Sequence, residues 1–285
     1  MLMKKEEDFI FHPPNFNENT LANYKENLIQ IPTGRKNQEG KEEMIPCYFK
    51  KYPNSKTLLI FFHCNGGDMF GAIRYLSVIA KKFEMNLLIP EYPGYSIYKS
   101  PKSSTKCLED SLIVYDFCLN NMKNLLEKNI CIFGRSLGTG PAVYISSKRH
   151  PGGCFLLSPY TTFAEVGRKF HEEEFYNRLT NHLRSIDYID KVECPLCIFH
   201  GREDNLIFNT EASKLFNQCK NNNKKELHLI EDMDHNNVFF FGKEMIELAR
   251  EFINKYYHPD TKEDNISLDL AKNFYIYNDD EDDLK

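Results

Sequence analysis

Short apolar runs alternate with segments of helical spacing along most of this chain. Six runs have the length and composition of strands covered on both faces: TLLIFF (57–62), NLLIP (86–90), NICIF (129–133), GCFLL (153–157), LCIFH (196–200) and ELHLI (226–230). Apolar residues recur at helical spacing between and after them, over 69–83, 105–126, 139–149, 210–219 and 242–256. This alternation predicts βαβ units and an α/β fold with a mostly parallel central sheet and helices on both faces.

The two ends of the chain differ from this alternating middle. Residues 1–25 are polar and contain a Pro-Pro pair, so we expect an N-terminal arm before a domain over 26–258. Within that domain, residues 26–31 and 43–49 predict early antiparallel strands, joined by the turn-rich TGRKNQEGK. Residues 259–285 end in NDDEDD and predict a solvated acidic tail.

The connection between GCFLL and LCIFH is long for a single unit of an α/β fold, at about 38 residues. Its apolar residues are interspersed with charges: Phe163, Phe170, Phe175, Tyr176 and Leu179. Two interpretations stay open. The segment forms one crossover helix with a loop, or residues 158–194 form a short lid over the strand ends.

Composition and charge limit the class of protein. With 285 residues and 41% apolar residues, the chain is long enough for a large core without disulfides. The net charge of −5 argues against nucleic acid as the main partner. The N-terminus lacks the apolar stretch of a signal peptide, and no apolar run is long enough to span a membrane. We therefore expect a cytoplasmic protein.

The nine cysteines are odd in number, and several lie inside the apolar runs, among them Cys131 and Cys154. This usage indicates free thiols in a reducing compartment. Cys194 and Cys197 have C-x-x-C spacing, but the chain has no second pair at zinc-ribbon spacing. We interpret both as core cysteines and expect neither a metal site nor a cofactor.

A serine lies between two glycines where NICIF ends and a helix begins. The letters GRSLG place Ser136 between Gly134 and Gly138, the G-x-S-x-G pattern of a nucleophile elbow. Such a turn exposes the serine hydroxyl, and larger side chains at the glycine positions would collide with the neighbouring strand and helix. Ser136 is therefore the candidate nucleophile.

A candidate acid and a candidate base follow two later strands. Asp204 comes shortly after LCIFH, with Glu203 as its rival, and His235 comes shortly after ELHLI. His200 and His228 are interpreted as core histidines, and the other histidines have no comparable pairing with an acid at a strand end. Ligand sites of such sheets lie at the carboxyl ends of the strands. The order Ser136, Asp204, His235 is the chain order of the α/β-hydrolase triad.

The loop after TLLIFF is the candidate source of an oxyanion donor. Its letters HCNGGD include small residues that let backbone N–H groups face a site. The backbone N–H groups of Asn65 and Leu137 are the predicted donors, the second because it follows the nucleophile. These residues together predict a serine hydrolase that works through an acyl-enzyme.

Six segments resemble the alpha/beta-hydrolase-domain-containing 17 proteins: HCNGGD, EYPGY, GRSLGTGPAV, LLSPYTTF, FHGREDNLI and DHN. The resemblance covers about residues 45–255. It implies the alpha/beta-hydrolase fold and the triad Ser136, Asp204 and His235. Three features depart from the family. Cys64 stands where its members have glycine, the N-terminal cysteine cluster is absent, since Cys47 is the first cysteine, and the acidic C-terminal tail lies outside the family pattern.

The resemblance also implies a substrate. Members of that family remove palmitate from cysteine thioesters of membrane-associated proteins, so we expect an acylated protein as the partner, with peripheral membrane contact. Two alternatives stay open. One is a peptidase-like hydrolase or general carboxylesterase of the same fold, and the other is a non-catalytic binding module on this fold.

Overall fold

Strands and helices alternate along the folded chain in the order that the apolar pattern predicts. The computed structural model describes residues 6–37, 39–167, 179, 182–221, 223–260, 270 and 274. The strands are β1 (Leu28–Lys36), β2 (Glu42–Lys50), β3 (Leu58–Phe62), β4 (Asn86–Pro90), β5 (Ile130–Arg135), β6 (Gly153–Leu157), β7 (Leu196–Gly201) and β8 (Lys225–Ile230). The α-helices are α1 (Glu7–Ile10), α2 (Met69–Lys82), α3 (Ser104–Asn121), α4 (Thr139–Ser146), α5 (Phe163–Gly167), α6 (Asn209–Gln218) and α7 (Gly242–Tyr256). Short 3-10 helices cover Glu18–Asn23, Lys25–Asn27, Glu127–Asn129, Ser136–Gly138, Ser185–Asp187, Ile189–Lys191 and Val238–Phe241.

The strands of the described chain form one sheet of eight, in the order β1-β2-β4-β3-β5-β6-β7-β8. The strands from β4 to β8 pair in parallel, and β1 and β2 add an antiparallel edge. The carboxyl ends of the parallel strands therefore share one edge of the sheet. The loops after β3, β5, β7 and β8, which hold the predicted site residues, meet along that edge.

Helices cover both faces of the sheet, as predicted. Every residue of β3, β4 and β6 is buried, because successive strand residues point to opposite faces and each face has its own apolar cluster. Leu59 and Phe61 of β3 pack on the face that holds α2 and α7, whereas Ile60 packs on the face that holds α3, α4 and α6.

Two helices start at side chains that cap their first turns. Asp68 accepts a hydrogen bond from the Gly71 N–H and begins α2 directly after the loop that follows β3. Ser103 accepts one from the Lys106 N–H and begins α3. Capping at Asp68 fixes the exit of the HCNGGD loop, since the helix can start only where its free N–H groups find acceptors.

Two predicted helices end earlier than their apolar spacing indicates. α3 stops at Asn121 rather than at residue 126, because Met122 is extended and Asn124 adopts a positive φ of 61°. Met122 and Leu125 are nevertheless buried, so the apolar spacing continues in a loop that packs on the core. α4 ends at Ser146 rather than at residue 149.

The antiparallel strand pair is longer than predicted, and its turn is shorter. Pairing of Lys36 with Glu42 extends both strands past a register shift, so part of the turn-rich TGRKNQEGK is strand. The polar N-terminal segment also packs on the domain, since Ile10 and Phe11 are fully buried. The domain boundaries at residues 25 and 258 stay predictions.

Parts of the predicted lid and tail lie outside the described residues. Of the lid segment 158–194, residues 168–178, 180 and 181 are outside, including Phe170, Phe175 and Tyr176, and the choice between lid and crossover helix stays open. Of the tail, the NDDEDD letters are outside, while Leu270 is buried and Phe274 packs edge-on against Phe117. No helix of the described chain is long and apolar enough to cross a membrane.

Candidate active site

Ser136 occupies a strained corner between β5 and α4. Its φ is +52°, in the left-handed region that non-glycine residues rarely adopt. A Cβ at Gly138 would lie 2.1 Å from the Phe62 carbonyl oxygen, and one at Gly134 would lie 2.3 Å from the Gly138 carbonyl oxygen. Both glycines are thus required by close backbone approach, as the motif predicts. The Tyr160 hydroxyl donates to the Leu137 carbonyl at 3.0 Å and holds the corner from the next strand end.

The structure brings Ser136, His235 and Asp204 together. His235 Nε2 lies 3.0 Å from Ser136 Oγ, and His235 Nδ1 lies 2.8 Å from Asp204 Oδ2. All three residues are buried. The predicted rival acid, Glu203, is exposed, and its neighbour Asp204 alone reaches the histidine.

Asp204 is held as an anion by the groups around it. Its Oδ1 accepts hydrogen bonds from the backbone N–H groups of Leu206 at 3.0 Å and Ile207 at 2.8 Å. His200 is fully buried, as predicted, and its Nε2 lies 3.4 Å from Asp204 Oδ2. Burial would raise the pKa of Asp204, but the hydrogen bonds from His200 and His235 outweigh it and hold that pKa well below its usual range.

A second histidine pairs with a carboxylate at neighbouring strand ends, which corrects the prediction that none does. His63 Nε2 lies 2.8 Å from Glu91 Oε1, and both side chains are buried. Glu91 also accepts hydrogen bonds from the Tyr92 N–H at 3.0 Å and from the Ser96 hydroxyl. The sequence did not indicate this pair, because α2 separates β3 from β4 along the chain and the two strands become neighbours only in the sheet. The pair anchors the start of the HCNGGD loop.

Asn65 is held by residues that sequence reasoning missed. Its Oδ1 accepts hydrogen bonds from the Tyr95 hydroxyl at 2.6 Å and the His12 N–H at 2.8 Å, and its Nδ2 donates to the Ile10 carbonyl at 2.6 Å. The arm and the EYPGY segment therefore position the loop of the predicted oxyanion donor. Cys64 beside it is a half-buried free thiol. The sequence signal for these contacts was the apolar run Phe9-Ile10-Phe11 within a polar arm.

A cavity of about 330 Å³ opens beside the serine. Ser136, Asn65 and Leu137 line it, so the structure brings the two predicted oxyanion residues to the nucleophile. Its other walls are mostly apolar and come from the arm, from α5 and from the loops around the site: Phe9, Phe163, Val166, Leu179, Leu206 and Ile207. A cavity of this size, with few polar groups converging at one end, is typical of a small-molecule site.

The C-x-x-C pair lies away from this site, in the core. Cys194 and Cys197 are buried free thiols, and they belong to the apolar clusters on opposite faces of the sheet. Burial raises the pKa of both thiols. All nine cysteines lie in the described part of the chain and are free thiols. The described residues hold no group of three or more His, Cys, Asp or Glu side chains suited to a metal ion.

Solved structures define the class of fold. An esterase of Pyrococcus furiosus superposes with a TM-score of 0.64 at 17% identity, over 87% of this chain and 98% of the esterase. A monoacylglycerol lipase of Paleococcus ferrophilus superposes with a TM-score of 0.56 at 14% identity, over 74% of this chain and 99% of the lipase. The chain has the alpha/beta-hydrolase fold, as predicted.

Two curated proteins with similar sequences are alpha/beta hydrolases by name. The chain is 26% identical over 249 residues to an alpha/beta hydrolase of Acanthamoeba polyphaga mimivirus, covering 87% of this chain and 92% of the viral protein. It is 26% identical over 222 residues to alpha/beta hydrolase domain-containing protein 17B of Homo sapiens, covering 76% and 73%. No family model matches the chain. The resemblance to the alpha/beta-hydrolase-domain-containing 17 proteins is confirmed, and these likenesses support a hydrolase.

Proposed function

We propose that this protein is a serine hydrolase that cleaves acyl thioesters or esters through the triad Ser136, His235 and Asp204. One observation carries the proposal. The two hydrogen-bond distances of 3.0 and 2.8 Å connect a serine on a strained turn, a histidine and a buried carboxylate in the order that acyl transfer requires.

The reaction proceeds in two halves. Ser136 Oγ attacks the acyl carbonyl while its proton moves to His235 Nε2, and the backbone N–H groups of Asn65 and Leu137 hold the oxyanion. Asp204 keeps His235 in the correct tautomer and stabilises its cation. His235 then gives the proton to the leaving thiolate or alkoxide. Water, deprotonated by His235, hydrolyses the acyl ester and restores the serine hydroxyl.

The substrate class within this proposal is a protein S-acylated with palmitate. The apolar walls of the cavity beside Ser136 suit an acyl chain, and the similarity to the alpha/beta-hydrolase-domain-containing 17 proteins favours the thioester of a membrane-associated protein. Peripheral membrane contact and a cytoplasmic location belong to the same proposal. The free thiols fit a cytoplasmic location, because such thiols persist in a reducing compartment.

Labelling with a fluorophosphonate probe tests the nucleophile. The probe forms a bond to an activated serine oxygen and releases fluoride, so the wild-type chain should be labelled and Ser136→Ala should not. Ser158→Ala is a matched control. Ser158 also follows a strand, is buried and has a φ of +52°, but its hydroxyl has no hydrogen-bond partner in the described structure. Labelling that persists in Ser136→Ala would overturn the proposal.

A substrate panel then tests the acyl class. Thioesters, oxygen esters and aminoacyl amides of matched acyl length are compared by kcat/KM. Preference for a long-chain thioester supports depalmitoylation. Preference for amides identifies a peptidase-like enzyme, and preference for short oxygen esters identifies a general carboxylesterase. A labelled chain that turns over none of them contradicts the proposed reaction.

A further inference from the structure

A second and larger cavity lies on the other side of the sheet from the one beside Ser136. It has a volume of about 680 Å³ and separates α2 from α7, with the sheet as its floor. Phe133, Phe155 and Phe199 form much of that floor. Val78 of α2 and Ala249 of α7 lie on its two walls. We call this cavity the interhelical groove. It shares no lining residue with the cavity beside Ser136.

The interhelical groove leaves apolar surface without a partner in the described chain. Phe133 lies in β5, at the centre of the sheet, yet it is only half-buried. Val78 is 61% exposed and Phe239, at the entrance to α7, is 55% exposed. On α7, Phe252 alone is fully buried. A cleft that exposes such a surface at the middle of a sheet is typical of a ligand site.

The charges of the groove all have one sign. Among its described lining residues, the charged side chains are Arg74 and Arg135, the Tyr75 phenol and the Cys131 thiol are neutral, and no carboxylate is present. Arg74 is exposed and forms no ion pair within the described chain. The Arg135 guanidinium packs 5.0 Å from the Phe239 ring and donates to the His235 carbonyl at 3.2 Å, without a carboxylate partner there either.

Both arginines belong to the part of the groove near the carboxyl edge of the sheet. Arg135 is the last residue of β5, and Arg74 lies in the second turn of α2, which begins at the carboxyl edge of the sheet. From Arg74 the groove continues along α2 to Phe83, about 14 Å at a rise of 1.5 Å per residue. The groove is therefore a mostly apolar cavity with positive charge toward one end.

We propose that the interhelical groove binds one long-chain fatty carboxylate, at a site separate from the catalytic cavity. The tail lies on Phe133 and Phe155 between the two helices. The carboxylate meets Arg74 and Arg135, because guanidinium groups form charge-assisted hydrogen bonds with carboxylates. A volume of about 680 Å³ lies in the range of small-molecule pockets. A cavity enclosed between two helices and the sheet suits one acyl chain better than a second protein, because protein interfaces are broad surfaces.

Binding of a fluorescent fatty acid to the full chain tests this site. The catalytic serine is first blocked with a fluorophosphonate, so that the cavity beside it cannot accept the probe. We expect cis-parinaric acid to bind and palmitate to displace it. Hexadecanol, which lacks the carboxylate, should displace it about tenfold less well. Each methylene added to the competing acid should tighten binding roughly fourfold.

Matched variants locate the bound acid. Ala249→Phe fills the groove and should weaken binding at least tenfold, whereas Val166→Phe in the catalytic cavity should leave binding to the blocked chain unchanged. Arg74→Gln should weaken binding about tenfold and Arg74→Lys much less. Lys148→Gln removes one exposed charge outside the groove and should have no effect. Arg135 is left intact because it contacts His235.

Three outcomes overturn the proposal. If Val166→Phe rather than Ala249→Phe removes binding, the fluorophosphonate has not closed the catalytic cavity and the acid occupies that cavity. If the acid does not bind and Ala249→Phe splits a dimer into monomers, a second copy covers the groove. If binding requires lipid vesicles, the surface contacts a membrane. If Ala249→Phe does not fold, Val78→Asp replaces it in the test. This variant should weaken binding, because its carboxylate at an exposed position repels the ligand without disturbing the core.

Discussion

Ser136 shows how much a single strained residue depends on its neighbours. A non-glycine residue with positive φ costs of the order of 1–3 kcal/mol, and the surrounding backbone must hold it in place. Ser158 has the same φ and also follows a strand, yet its hydroxyl has no partner in the described structure. The strained corner is therefore not sufficient for a nucleophile. His235 at 3.0 Å distinguishes the two serines.

Gly138→Ala is expected to disrupt this corner. The added Cβ would lie 2.1 Å from the Phe62 carbonyl oxygen, a distance that only a backbone shift can relieve. We expect a loss of about 2 kcal/mol in the free energy of unfolding and loss of fluorophosphonate labelling. Urea unfolding and labelling of the folded variant measure the two effects.

Gly242→Ala is the matched control for that change. A Cβ there meets nothing within 4 Å, and the residue starts α7. Alanine at that position should leave the free energy of unfolding unchanged or raise it slightly, since alanine favours the helix. Equal stability of Gly138→Ala and Gly242→Ala would contradict the role assigned to close backbone approach.

Buried charges connect the antiparallel edge of the sheet to α3. Glu43 of β2 accepts hydrogen bonds from Lys106 at 2.7 Å, from the Ser100 hydroxyl at 2.6 Å and from Arg35 at 2.9 Å. Burial would raise the pKa of Glu43, but the hydrogen bonds from Lys106, Ser100 and Arg35 outweigh it and lower that pKa to about 2. Arg35 also pairs with Asp110 of α3.

Glu43→Gln should lower the free energy of unfolding at neutral pH and make that free energy depend less on pH in the acidic range. The pKa of Glu43 is lower in the folded chain than its ordinary value of 4.5, so the carboxylate stabilises the fold fully above that value. This contribution is lost as pH falls from about 5 toward 2. We expect Glu43→Gln to lose about 2 kcal/mol at pH 7, and the difference from wild type to shrink by pH 3.

Urea unfolding at the two pH values measures that difference. Glu42→Gln provides the control, because Glu42 is the adjacent residue of the same strand and is exposed. Its effect should stay within about 0.5 kcal/mol at both pH values. A constant difference between Glu43→Gln and wild type from pH 7 to pH 3 would contradict the lowered pKa.

The N-terminal segment packs on the core of the domain and also contacts the candidate active site. Ile10 and Phe11 are buried in the same apolar cluster as α3 and α4. The Ile10 carbonyl accepts a hydrogen bond from the Asn65 side-chain amide, 55 residues away, and the His12 N–H donates one to the Asn65 Oδ1, 53 residues away. The segment therefore supports both the core and the loop of the proposed oxyanion donor.

Phe11→Ala is expected to lower the stability of the core and to weaken the support of the loop that holds Asn65. Phe11 is 0% exposed, and such a truncation costs about 3–5 kcal/mol. Because the backbone beside it holds Asn65, the labelling rate of the folded variant should fall as well. Phe240→Ala is the control, since Phe240 is 88% exposed and the same truncation should cost less than about 0.5 kcal/mol. An unchanged labelling rate in folded Phe11→Ala would separate the segment from the site.

Local patterns were sufficient for the central sheet and for the three residues of the proposed triad. Each strand of the parallel part is a short apolar run, and its neighbours in sequence show where it starts and ends. Ser136, Asp204 and His235 each follow such a run within a few residues. Parallel strands place their carboxyl ends at one edge, so residues found after separate strands are brought together without further information.

Contacts between distant segments could be identified only in the folded structure. The His63–Glu91 pair, the support of Asn65 by the arm and the burial of Glu43 all depend on which strands and loops become neighbours in the sheet. The interhelical groove depends on the distance between α2 and α7. Apolar spacing shows that a side chain is buried, but it does not encode the partner that the side chain meets. That partner follows from the sheet order and from helix packing, which combine residues far apart in the chain.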